Sequence, residues 1–94
     1  MVKIKWTNSA LRDLKQIHKY ISEDSEYYAD RLISKLVERV DILEKLPFSG
    51  RTVPEKEDET IRELIEGNYR IFYKVKNENN ILILRIHHSA KNIT

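Results

Sequence analysis

Two adjacent histidines close the last apolar segment of the chain, and they are the residues best suited to chemistry. His87 and His88 follow the run ILILRI and precede a short polar tail. An imidazole that is neutral near pH 7 can act as an acid–base group or bind a metal ion. The pair therefore raises three possibilities: a metal site, an acid–base site, or a solvated strand end.

Alternation along the last two strands places these histidines relative to the basic residues. Successive side chains on a strand point to opposite faces of the sheet. In the segment 69–75 the row that begins with Tyr69 is apolar and predicts the core face, and in the segment 81–88 the all-aliphatic row Leu82, Leu84 and Ile86 is likewise assigned to the core. The opposite, open face is then predicted to carry Arg70, Lys74, Arg85 and His87.

The same alternation separates the histidines from one another. His87 is placed on the open face and His88 at the core edge, while His18 lies on a helix with no ligand at the following turn. A shared metal ion is therefore not expected, and no motif in the chain predicts a cofactor.

A second interpretation of His87 is acid–base chemistry on a phosphodiester. Arg70 and Arg85 would then stabilise the charge that develops on phosphorus. The alternative is that these are solvated strand residues, with the arginine stems lying over exposed aliphatic side chains.

The composition limits the class of protein. Ninety-four residues predict a single domain, 1–94, with one modest core. The chain has no cysteine, which excludes disulfides and thiolate catalysis. Its longest apolar run, Ile81–Leu84, is far too short for a membrane span, and its N-terminus lacks the apolar region of a signal peptide, so we expect a cytoplasmic protein without a membrane partner.

Charge is distributed unevenly although the net charge is only +2. Residues 55–68 contain six acids and two bases, and residues 69–94 contain five bases and one acid. This favours an anionic partner for the basic end, but it falls short of the strongly basic surface of a general nucleic-acid binder.

Hydrophobic periodicity predicts the elements that position these residues. A strand at 2–6 precedes two apolar stripes of helical spacing, 10–21 and 28–46, which predict an αα-hairpin ended by Pro47 and Gly50. After a charged loop come three strands. The order β-α-α-β-β-β predicts an α+β fold of two layers, an antiparallel sheet with the N-terminal αα-hairpin packed on one face. The three later strands are predicted at Ile61–Glu66, Tyr69–Val75 and Ile81–His87.

Several segments together resemble the RelE/ParE superfamily of toxins from type II toxin–antitoxin modules, often labelled plasmid-stabilisation proteins. They are LPFSGRTVPE (46–55), IRELIEGNYRIFYKV (61–75) and ILILRIHHSAKNI (81–93), in the order that the superfamily shows. The resemblance implies growth inhibition, a cognate antitoxin as partner, and a homodimer or a toxin–antitoxin hetero-oligomer.

The superfamily contains two activities. RelE-like and YoeB-like members are metal-independent endoribonucleases that cut ribosome-bound mRNA, whereas ParE-like members poison DNA gyrase. The working glutamate, arginine and histidine of YoeB-like enzymes match Glu55, Arg70 and His87, while their terminal tyrosine is replaced here by His88.

Other features resemble ParE-like chains. Lys56 stands alone where RelE has a lysine pair, and the four acids around it would repel RNA phosphates. A tail also continues beyond the histidines. The ParE-like activity is therefore predicted, with the endoribonuclease kept as the alternative, and an interaction module without an antitoxin as a third possibility. The residues expected to bind the target are Arg62, Arg70, Lys74, Arg85 and Lys91.

Overall fold

A computed structural model describes residues 2–89, so Lys91 lies outside the described residues. Two α-helices and five strands follow one another, with a 3₁₀ turn, Ile42–Glu44, after the second helix. The elements are β1 (Lys3–Trp6), α1 (Asn8–Ser22), α2 (Glu26–Asp41), β2 (Arg51–Thr52), β3 (Ile61–Glu66), β4 (Tyr69–Asn77) and β5 (Asn80–His88).

Short polar side chains begin both helices. The Thr7 hydroxyl accepts a hydrogen bond from the Ala10 amide and donates one to the Ile83 carbonyl, which ties the start of α1 to β5. Ser25 accepts from the Tyr28 amide at the start of α2. These bonds satisfy amides that have no partner within the first turn.

The second helix is shorter than its apolar stripe predicts. It ends at Asp41, and the chain continues as a 3₁₀ turn towards Pro47. A tighter turn is common at a helix end, and the residue before a proline is disfavoured in helical conformation.

The sheet is mixed, with strand order β1-β5-β4-β3-β2. β3, β4 and β5 are antiparallel neighbours, as predicted, but the edge strand β1 runs parallel to β5. The prediction of a wholly antiparallel sheet is wrong at this edge, because β1 enters the sheet before the helical hairpin and pairs with the last strand. The two-residue strand β2 lies within the segment predicted as a loop, and it pairs with β3.

The α+β fold of two layers is confirmed. Both helices cover one face of the sheet, and Leu36 of α2 and Ile71 of β4 are fully buried in the core between the layers. Among residues 2–89 there is no helix with the length and apolar character needed to cross a membrane.

A β-bulge changes which residues of β5 face the helices. Tyr73 lies opposite Ile83 but Phe72 lies opposite Arg85, so Leu84 is an additional residue in β5. An additional residue interrupts the alternation of faces. Ile81 and Ile83 are consequently buried, whereas Leu82 and Leu84, which were predicted for the core, are only partly buried.

Candidate functional site

Arg70 lies at the centre of a cluster of charged side chains on the open face of the sheet, which is the face turned away from the helices. Its neighbours across the strands are Ile65 of β3 and His87 of β5. The side chain is only 12% exposed. Its Nε donates to Glu63 Oε2 at 2.8 Å, and its Nη2 makes a second, short bond to the same oxygen.

Glu63 is the buried acid of this cluster. Its side chain is inaccessible to solvent, and its second oxygen accepts a 2.6 Å hydrogen bond from Arg51 Nε. The pairing of β2 with β3 brings Arg51 directly opposite Glu63. Two guanidinium groups therefore offset the cost of burying the carboxylate.

Glu55 contacts Arg70 from the solvent side. Its Oε2 accepts from Arg70 Nη1 at 2.9 Å and its Oε1 from Nη2 at 3.1 Å, a two-point contact between planar groups. The hydrogen bond from Arg70 is the main reason that the pKa of Glu55 is lowered. The pKa of Arg70 is raised, chiefly by the same bond.

His87 completes the candidate catalytic trio predicted from the sequence. It lies across from Arg70, and its ring meets Phe72 edge-on with 5.5 Å between ring centroids. The Arg70 guanidinium lies 4.9 Å from the centroid of the same phenyl ring. The structure therefore brings Glu55, Arg70 and His87 to one site.

His88 points to the helix-covered side, as predicted. Its ring contacts Tyr69 edge-on, with the centroids 5.3 Å apart. The histidines are thus on opposite faces of β5. Within residues 2–89, histidine and carboxylate side chains form no group of three that could hold a metal ion.

Arg85 does not join Arg70 on the open face, and that prediction is wrong. Its Nε and Nη2 donate to the two carboxylate oxygens of Asp13 on α1, at 2.8 and 3.1 Å. The Ile86 amide also donates to Asp13. The bulge at Leu84 accounts for the change, because it shifts Arg85 out of the simple alternation, and Asp13 raises the pKa of Arg85.

The other predicted target-binding residues are divided between the faces. Lys74 lies on the open face, opposite Ile61. Arg62 lies on the other face, where it donates to the Gly50 carbonyl at 3.0 Å and stacks on Phe48 with 4.8 Å between the guanidinium carbon and the ring centroid.

Sequence reasoning missed several residues that shape the open face. Lys3 and Lys5 of β1 are exposed there, and the alternation of VKIKW contained that signal. Alternation along β3 also contained a signal for Glu63. It precedes the buried Leu64, so its side chain points to the opposite face, beside Phe72. The charged face is therefore built from Lys3, Lys5, Lys74, Arg70, Arg51, Glu63 and Glu55.

Comparison with known proteins identifies the class that this fold and site define. The model of the family described as ParE toxin of type II toxin-antitoxin system, parDE, matches residues 4–93. The chain belongs to this toxin family, within the RelE/ParE superfamily.

Individual relatives carry both names of the superfamily. Toxin RelE2 of Caulobacter vibrioides is 35% identical over 92 residues, which cover 97% of this chain and 99% of the relative. The chromosomal ParDE toxin–antitoxin system of P. aeruginosa superposes with a TM-score of 0.77 at 30% identity, covering 94% of this chain and 96% of that one. The RelBE2 toxin–antitoxin complex of Mycobacterium tuberculosis shares the fold, with a TM-score of 0.69 at 22% identity, and covers 93% of this chain and 96% of that one.

Proposed function

We propose that this type II toxin inhibits growth by binding DNA gyrase through the open face of its sheet, without cleaving RNA. The observation that carries the proposal is the pairing of Arg70 with two carboxylates. All three nitrogens of its guanidinium donate to carboxylates of Glu55 or Glu63. This arginine is organised to hold carboxylates rather than the phosphorus of an RNA strand.

The same contacts disfavour a nuclease. Stabilisation of a phosphorane needs a positive charge that is available to it, and here the buried carboxylate of Glu63 offsets the charge of Arg70 even when Glu55 is displaced. A general base works best with a pKa near the operating pH. The pKa of Glu55 is shifted in the opposite direction, below its ordinary value.

Lysines provide the remaining positive charge of the proposed gyrase-binding face. Lys3, Lys5 and Lys74 lie on the open face too, towards the Asn80 end of β5, whereas Arg70 lies opposite His87. Arg85 and Arg62 lie elsewhere and are bonded to other groups, so we assign them lesser roles in target binding. A positive face of this kind increases the rate of encounter with an acidic protein surface.

The second candidate function is a metal-independent endoribonuclease acting on ribosome-bound mRNA. One observation favours it: Glu55, Arg70 and His87, the positions that match YoeB-like enzymes, lie together on one face. On this alternative Glu55 must leave Arg70 before an RNA phosphate can bind.

Membership of this family supports a cognate antitoxin as partner, because the structures that this chain resembles include toxin–antitoxin complexes. We propose that the antitoxin covers the helical hairpin in a hetero-oligomer. The hairpin exposes apolar side chains that suit an amphipathic partner. They include Leu11, Tyr20, Tyr28 and Val37, with Ile42 in the 3₁₀ turn just beyond α2.

Induction of the chain in the cytoplasm of growing cells tests the proposed target. DNA-damage signalling with intact mRNA is expected if gyrase is poisoned. In-frame cuts in translated mRNA, without DNA damage, would contradict the proposal and establish the nuclease alternative. Co-expression of the antitoxin from the same operon is the control, because it should suppress either effect.

A further inference from the structure

The two carboxylates that hold Arg70 are held very differently themselves. Glu63 extends from the middle of β3, is fully buried, and also bonds Arg51. Glu55 lies in a short turn, closed by a hydrogen bond from the Lys56 amide to the Val53 carbonyl, and its side chain is 38% exposed. One partner of Arg70 is therefore part of the sheet, and the other belongs to a surface turn.

We propose that Glu55 is a removable internal ligand of Arg70, and that a carboxylate side chain of a protein partner takes its place. This inference extends the proposed function, because it names the chemistry by which the open face recognises its target. In the unbound toxin Glu55 holds the site closed, and binding exchanges one carboxylate for another.

Exchange is physically reasonable because the outer contact lies in solvent. Glu55 is the solvent-exposed member of this pair, and water and salt screen an ion pair on its exposed side, which reduces its contribution to stability. The outer contact involves only the end of the Glu55 side chain. The core beneath the turn is anchored separately, by buried Val53 and by the bond from the Val75 amide to the Thr60 carbonyl.

The surroundings of Arg70 favour a carboxylate over a phosphodiester. Glu63 already occupies Nε and part of Nη2, which leaves one edge of the guanidinium for an acceptor with two oxygens, a geometry that carboxylates and phosphates share. The acidic side chains at 55, 57, 58 and 59 would repel the many phosphates of a nucleic acid more strongly than one acidic side chain. The apolar Ile65, which is 43% exposed beside Arg70, also suits a protein surface.

The test is a titration of the purified chain followed by the NMR signal of the Arg70 Nε–H group. Sodium acetate and dimethyl phosphate serve as probes, because both are monoanions and one is a phosphodiester. The ionic strength is kept constant with chloride. Three proteins are compared: the wild type, Glu55→Gln, and the matched control Glu57→Gln. The control removes the same charge from the same region, but within residues 2–89 it is Glu55, not Glu57, that bonds the outer side of Arg70.

Acetate should bind Glu55→Gln about tenfold more tightly than the wild type if Glu55 occupies the site roughly nine-tenths of the time. Glu57→Gln should behave like the wild type. Equal acetate affinity in Glu55→Gln and the wild type would overturn the proposal, as would an equal gain in Glu57→Gln. Tighter binding of dimethyl phosphate than of acetate would overturn the choice of a protein carboxylate.

The Nε–H signal of Arg85 provides an internal control for folding. Asp13 holds that guanidinium on the far side of β5, so its signal should be the same in all three proteins. Because the titration uses the isolated chain, its result does not depend on the cellular target. Toxicity through mRNA cleavage would end the gyrase proposal and leave the exchange at Arg70 to be judged on the titration alone.

Discussion

Two arginines on neighbouring strands are each paired with carboxylates, and the two sites differ in which partner faces solvent. At Arg85 the acid is the more buried group: Asp13 is 10% exposed and also accepts from the Ile86 amide, whereas the arginine is half exposed. At Arg70 the arginine is the more enclosed group, between buried Glu63 and exposed Glu55.

This difference separates a structural contact from a site that can change partners. Asp13 joins α1 to β5 and cannot leave without exposing a backbone amide, so the Arg85 site fastens the helix to the sheet. Glu55 can leave Arg70 while Glu63 remains in place. The comparison predicts where substitutions affect stability and where they affect recognition.

The largest effect is expected at Glu63. Replacement by Gln removes a buried charge that two arginines share, and should lower the free energy of unfolding by about 3–5 kcal/mol, the range for breaking a buried ion pair. Chemical denaturation measures the change. Glu66→Gln on the same strand is the control, with an expected change of about 0.5 kcal/mol or less. Equal stability of the two variants would mean that the Glu63 cluster contributes nothing to the fold.

The Arg85 site should respond unequally to removal of its two members. Asp13→Ala leaves the Ile86 amide without its acceptor and should cost about 1–3 kcal/mol. Arg85→Ala leaves the Asp13 carboxylate, which is only 10% exposed, without its cation, and should cost more than Asp13→Ala, because an unpaired buried charge is penalised more strongly than an unpaired amide. Thermal or chemical unfolding of both variants checks the order. The opposite order would mean that Arg85 contributes little to holding Asp13 against β5.

A smaller effect on stability is expected when low pH protonates Glu55. Because the pKa of Glu55 is lowered in the folded chain from its ordinary value of 4.5, its stabilising contribution is present above that pH and is lost as the pH falls through the folded pKa. The unfolding free energy of Glu55→Gln should therefore depend less on pH below 4.5 than that of the wild type.

Glu57→Gln is the matched control for the acid titration and should follow the wild type. Asp58 is retained in all three proteins; its own pKa is lowered, chiefly by the hydrogen bond from the Thr60 side chain, so its contribution cancels in the comparison. Identical pH dependence of Glu55→Gln and the wild type would mean that the outer contact to Arg70 is absent in solution.

Local patterns were sufficient to predict much of the fold. The bounds of β3, the core row of β4 and the division of the two histidines follow from alternation, which depends only on neighbouring residues. The trio Glu55, Arg70 and His87 came from a resemblance in sequence, and the structure places its members together.

Features that depend on distant pairing could not be predicted in this way. The bulge at Leu84 is defined by the register between β4 and β5, and it moved Arg85 towards α1. Asp13 lies 72 residues from Arg85, within the apolar stripe of α1, and only the packed structure shows their contact. Similarly, the parallel pairing of β1 with β5 joins the two ends of the described chain.

Growth inhibition by His87→Ala tests the central claim most directly, because it separates a gyrase-binding face from a nuclease site. The variant is induced in cells beside the wild type, and its fold and antitoxin binding are checked on purified protein. We expect growth inhibition to persist, since His87 performs no chemistry in a protein that acts by binding. Loss of inhibition in a folded variant that still binds antitoxin, with mRNA cleavage reduced by roughly 10²–10⁴-fold, would contradict the account and establish His87 as an acid–base group.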